Sequence, residues 1–308
     1  CKRIPGLVYL ELESSSRLMR NIPIVSYLSF CLLIWITACA SASSQQPTRQ
    51  PTPAALDFSN SISPTPTQAD CTQTHGYFEF HEIQTSCMNH PLQFRVYLPA
   101  CYGNDQGRRY PVLYLLHGQG FTDDQWDRLG ADEVMDELIA AEEIPPFILV
   151  LPRESNYMIN QWESKYGQAL AVDLVPWVDA HYRTCIDRAC RAIGGLSRGA
   201  GWAMRIGLMN WQLFSAIGTH SFAPFRGDYN AAPLWIKAIP EGYLPRIWID
   251  VGDRDFIADA AQVWKVRLDA YKVPNEWHVF PGAHTEKYWS ANISTYIRWY
   301  ASAWKKPA

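Results

Sequence analysis

Apolar and polar residues alternate in Tyr77-Phe78-Glu79-Phe80-His81-Glu82-Ile83 and again in Leu92-Gln93-Phe94-Arg95-Val96-Tyr97-Leu98. A period of two sets one face against a core and the other in water, so these stretches predict an antiparallel hairpin at the edge of a sheet. Further along the alternation disappears. Pro111 to Leu116, Phe147 to Leu151, Phe214 to Thr219 and Arg246 to Val251 are apolar almost throughout, as strands buried on both faces are. A shorter apolar run, Ala192-Ile193, leads into glycines, and Glu276 to Phe280 reads as one more strand. Helical spacing fills the intervals. Asp123 to Glu143 carries Trp126, Leu129, Val134, Leu138 and Ile139, with Thr122 as N-cap and Pro145-Pro146 as a stop. Ala169–Tyr182, Trp202–Met209 and Thr285–Trp304 are the other predicted helices. Strands alternating with helices predict an α/β fold with a mixed, mostly parallel sheet covered by helices on both faces.

Residues 1–70 have a different pattern. The first methionine is Met19, so residues 1–18 read as a non-native upstream extension. From Met19-Arg20 a charge-free apolar run, Ile22 to Ala38, ends in Ile36-Thr37-Ala38-Cys39. A short basic start, an apolar core and small residues before a cut describe a signal peptide over 19–38. The last four residues resemble a bacterial lipobox, which implies a lipid anchor on Cys39. A plain transmembrane anchor is the competing reading, with a run at the short end for spanning a bilayer. Residues 39–70 are rich in Ser, Thr, Pro and Gln and predict a disordered tether, leaving 71–308 as the folded domain. Both readings put that domain outside the cytoplasm, in a membrane-anchored or secreted form.

The net charge of −3 and the absence of a Lys/Arg block interleaved with aromatics argue against a nucleic-acid partner. Beyond residue 70 the cysteines are Cys71, Cys87, Cys101, Cys185 and Cys190. Their spacing fits no zinc pattern, and an exported protein keeps disulfides. Cys185 with Cys190 and Cys71 with Cys87 are the expected pairs, with at least one thiol left over.

Chemistry enters at Gly195-Leu196-Ser197-Arg198-Gly199, a Gly-x-Ser-x-Gly between an apolar run and a helix. Read as a nucleophile elbow, the serine sits on a strained strand-to-helix turn and the Arg198 N–H at the helix start is placed to bind an oxyanion; an ordinary Gly-rich turn with an N-capping serine is the competing reading, and the partners decide between them. The serine needs a base, and the base needs an orienting carboxylate. Both follow in the expected order: Gly252-Asp253-Arg254-Asp255 after one predicted strand and Pro281-Gly282-Ala283-His284 after the next. Charge and order alone do not separate Asp253 from Asp255, whereas Asp250 lies inside a strand. Upstream, Leu116-His117-Gly118-Gln119-Gly120 ends a strand in His-Gly-x-Gly, and Gln119 is the expected second oxyanion donor.

Together these residues resemble the α/β-hydrolase fold, and more narrowly the putative-esterase family of feruloyl and acetylxylan esterases, S-formylglutathione hydrolase and mycolyltransferase antigens. The resemblance runs from about Tyr77 to Trp304. It implies a triad of Ser197, His284 and Asp255, the last as the closing residue of Gly-x-x-Asp, and no cofactor or metal. Trp162 and Trp289 are candidate substrate-binding residues. The expected activity is hydrolysis of carboxylic esters, small or polysaccharide-linked, such as feruloyl or acetyl esters. Acyl transfer to an alcohol and a non-catalytic tethered binding protein are the alternatives.

Overall fold

The computed structural model describes residues 71–304. The extension, the signal peptide and lipobox with Cys39, and the tether fall outside the described residues.

Eight strands form one sheet in the order β1-β2-β4-β3-β5-β6-β7-β8. β1 (Tyr77–Ile83) and β2 (Leu92–Leu98) are the antiparallel hairpin, in register Tyr77 opposite Leu98. β2 joins β4 (Ile148–Pro152) antiparallel. From there β3 (Val112–Leu116), β5 (Arg191–Leu196), β6 (Ala216–His220), β7 (Arg246–Gly252) and β8 (Asn275–Phe280) run parallel to β4 and to one another. Parallel neighbours need crossovers, and all the helices but the last, which follows β8, lie between strands and supply them. The helices are α1 (Gln125–Arg128), α2 (Ala131–Ala140), α3 (Tyr166–Ala169), α4 (Val175–His181), α5 (Arg198–Met209), α6 (Asp228–Lys237), α7 (Ala258–Ala270) and α8 (Glu286–Ala301).

The period of two in β3 divides the interior. Val112, Tyr114 and Leu116 face one core with Leu174, Val178, Trp202, Ile206, Trp235 and Trp264 from α4 to α7 and the turn before α4. Leu113 and Leu115 face the other, with Trp126, Met135, Leu138, Ile293 and Tyr296 from α1, α2 and α8. Helices therefore cover both faces, and the fold is that of the α/β hydrolases.

Three expectations change. The predicted helix over 123–143 is broken at Gly130, whose φ of 92° is left-handed, and α1 and α2 lie on either side. Thr122 caps nothing, because its hydroxyl is bonded to the Asp124 carboxylate instead. The helix predicted from Ala169 begins at Tyr166 and passes through a π-helical turn at Leu170–Leu174.

Cys185 pairs with Cys190 as expected. Cys71 pairs with Cys101 and not with Cys87, and Cys87 is itself in a disulfide, so no thiol is left over among the described residues. The β1–β2 register explains the Cys71 pairing. Cys71 precedes the start of β1, and the hairpin sets that end beside the end of β2, which Cys101 follows, while Cys87 lies at the opposite, hairpin end.

Candidate active site

The loops at the C-terminal ends of β3, β5, β7 and β8 carry the candidate residues. β5 ends at Leu196 and α5 begins at Arg198, which leaves Ser197 alone in the turn with φ 53° and ψ −119°. A non-glycine residue there stores on the order of 1–3 kcal/mol of strain, which the surroundings must hold. They do so at close range. The Ser197 N–H donates to His220 O at 2.8 Å, and the Gly201 N–H donates to Ser197 O at 3.2 Å. A Cβ on Gly195 would lie 2.4 Å from Gly199 C, and one on Gly199 would lie 2.2 Å from Leu116 O. Backbone is what they would strike, so Gly199→Ala should cost about 3 kcal/mol or more in urea unfolding. Gly103→Ala, with nothing within 4 Å, should leave the midpoint unchanged.

The Ser197 hydroxyl donates to His284 Nε2 at 2.8 Å. His284 Nδ1 faces both oxygens of Asp255 at 3.1 Å. The Asp255 side chain is fully shielded from solvent and that of His284 is partly exposed. Burial would push the Asp255 carboxyl up. Hydrogen bonds from His284, Ser221 and the Ile257 N–H outweigh it and hold the group below its ordinary value. A lowered carboxylate contributes stability above its unfolded pKa and loses it only as pH falls through the folded value. Asp255 thus stays ionised throughout the neutral range.

Asp253 has a different task. Its Oδ1 accepts the Gly282 N–H at 2.8 Å, tying the loop after β7 to the loop of His284, and its side chain is half exposed. The neighbouring backbone repeats the tie, with Arg254 N–H on Gly282 O at 2.8 Å. Asp253→Ala should therefore cost about 1 kcal/mol in thermal unfolding and leave turnover within tenfold. Asp250 is wholly buried in β7, bonded by His220, Trp248, Tyr288 and Tyr296.

A cavity of about 540 Å³ opens over Ser197, and Gly118, Gln119, Phe121, Leu196, His284 and Trp289 are among its walls. The N–H groups of Arg198 and Gln119 enter no backbone hydrogen bond of the turns and loops. The His117-Gly118-Gln119 loop is held from three sides. Trp126 Nε1 donates to Leu116 O at 3.0 Å, Gly118 N–H donates to Gln125 Oε1 at 2.8 Å, and His117 Nδ1 donates to Gly118 O at 2.8 Å. Burial lowers the His117 pKa, so the ring stays neutral.

The two tryptophans part company. Trp289 lies edge-on to the His284 ring at 5.1 Å, is buried, and donates from Nε1 to Ser221 Oγ at 2.9 Å. Trp162 is not among the cavity's lining residues. Its ring lies over the Arg205 guanidinium at 3.9 Å, and its Nε1 donates to Arg226 O at 3.0 Å.

Sequence reasoning missed Ser221, Gln125 and Glu154. Ser221 follows β6 with φ 49° and connects Trp289 to Asp255. Glu154 grips both ends of the Arg198 guanidinium. Phe256 is largely exposed and lies beside the His284 ring at 4.7 Å.

A family model described as "Putative esterase" matches residues 85–300. An endo-1,4-beta-xylanase/feruloyl esterase of Xylanibacter ruminicola is 33% identical over 154 residues, which are 47% of this chain and 21% of that protein. An esterase of Mycobacterium tuberculosis is 26% identical over 258 residues, 67% of this chain and 55% of the relative. The chain thus spans about a fifth to about half the length of these relatives. Among solved structures, a ferulic acid esterase superposes with a TM-score of 0.66 at 25% identity, covering 75% of this chain and 99% of the other. An S-formylglutathione hydrolase from Staphylococcus aureus has a TM-score of 0.62 at 18% identity, covering 74% and 98%; at that identity the likeness speaks for the fold.

Proposed function

Because the chain belongs to the putative esterase family, we propose that it is a serine carboxylic ester hydrolase working through an acyl-enzyme. The observation that carries this reading is the line of hydrogen bonds from Ser197 through His284 to Asp255. His284 takes the serine proton as Oγ attacks the ester carbonyl, and Asp255 holds the imidazole with its proton on Nδ1. The N–H groups of Arg198 and Gln119 bind the oxyanion of the tetrahedral intermediate. When it collapses, His284 returns the proton to the leaving alkoxide. Water then attacks the acyl-enzyme by the same route in reverse. The bulk of the acyl group lies in the cavity against Phe121, Leu196 and Trp289.

These aromatic walls, with Phe256 beside the histidine, favour an aryl acyl group of the feruloyl kind over acetyl. The feruloyl and ferulic acid esterases among the similar proteins support the same choice. Disulfides persist outside the cytoplasm, so the Cys71–Cys101 and Cys185–Cys190 bridges support export. A lipid anchor at Cys39 is part of the same reading. Turnover of methyl ferulate, p-nitrophenyl acetate and acetylated xylan tests it. The expected order in kcat/KM is ferulate first, and preference for acetyl by tenfold or more would refute the aryl assignment.

A further inference from the structure

The two oxyanion donors come from segments far apart in the chain, yet one series of hydrogen bonds joins them. At the loop end, His117 Nδ1 donates to the carbonyl of Gly118, the residue before Gln119, at 2.8 Å. The other ring nitrogen, Nε2, accepts the Glu154 N–H at 2.9 Å. The Glu154 carboxylate then takes Arg198 Nε and Nη2, each at 2.7 Å. Arg198 is itself the second donor. The links are buried, with His117 at 4% and Glu154 at 5% exposure.

Each link constrains geometry. A bidentate arginine–carboxylate pair fixes both distance and plane, and a neutral imidazole bonded at both nitrogens cannot turn. Glu154 is absent from the cavity wall, and the ester reaction as read above has no step for it. A buried ion pair is also weak evidence of stabilisation, since desolvation offsets much of the attraction.

We propose that Glu154 is a positioning residue: through His117 on one side and Arg198 on the other, it sets the spacing of the Gln119 and Arg198 N–H groups around the oxyanion. The proposal rests on the ester-hydrolase reading of Ser197. Donors aimed at developing charge act in the transition state and not on bound substrate, so a small displacement lowers kcat and spares KM.

Glu154→Gln tests this, because it keeps the backbone N–H that holds His117 and the side chain's shape while its amide cannot grip both ends of the guanidinium. Titration with a fluorophosphonate counts the competent sites, so that unfolding and catalysis are separated. Per titrated site, kcat should fall about tenfold to hundredfold with KM within twofold, and affinity for a boronic acid analogue of the tetrahedral intermediate should fall by the same factor. Glu154→Gln combined with Arg198→Met should be no slower than the slower single variant, as members of one unit are. Unchanged kcat per site would overturn the proposal. So would a rise, which is what Arg198 acting only as a freed positive charge predicts. An active Ser197→Ala protein would instead remove the underlying ester-hydrolase reading, so the two failures are distinguishable.

Discussion

Ser197→Ala should lower kcat for any ester substrate by about 10⁴- to 10⁶-fold while the protein remains folded. The hydroxyl faces His284 Nε2 in the cavity at 2.8 Å. Alanine removes it without adding bulk to a turn where Gly195 and Gly199 already meet backbone. The φ of 53° at Ser197 should carry over to the variant, since alanine meets the same steric limits as serine. Its urea midpoint should therefore stay close to that of the parent. Near-normal turnover in a folded variant would remove Ser197 from the reaction.

Asp255→Asn should be almost as damaging, lowering kcat by about 10⁴-fold with little change in KM. The carboxylate accepts from His284 Nδ1 and so keeps the lone pair on Nε2, where the serine proton must go. An amide NH₂ in the same place would turn the preference round and protonate Nε2. Asp253→Ala is the control. It loses one bond to Gly282 N–H and leaves the imidazole alone. A larger loss of kcat at position 253 than at 255 would mean that Asp253 orients the base.

Much of this was legible in the order of residues because it is local. Strands buried on both faces read as unbroken apolar runs, and β3 and β4 are buried along their whole length. The elbow reads from five residues, since the glycines are required by close backbone contact on either side of the serine. What failed depends on distant neighbours or on defects in the pattern. α6 contains Pro233, and α7 exposes Val263 and Val266, so neither shows a clear apolar stripe. The break between α1 and α2 needs only a left-handed glycine, which sequence periodicity does not register. Asp253 and Asp255 are chemically equivalent in sequence, and only the turn after β7 sends one to the histidine and the other to Gly282. Glu154 and Ser221 gain their meaning from Arg198 and Asp255, side chains brought from other loops, and no spacing rule anticipates them. Trp289 was singled out for its nearness to His284, and the structure shows it packed against that ring and tied to Ser221.

The most direct measurement is the site of covalent capture. Incubation with a fluorophosphonate, followed by intact mass and peptide mapping, should give a single adduct on Ser197, formed more slowly in Asp255→Asn and absent from Ser197→Ala. No adduct on the folded protein, or an adduct on another serine that persists in Ser197→Ala, would contradict a nucleophile at the turn between β5 and α5.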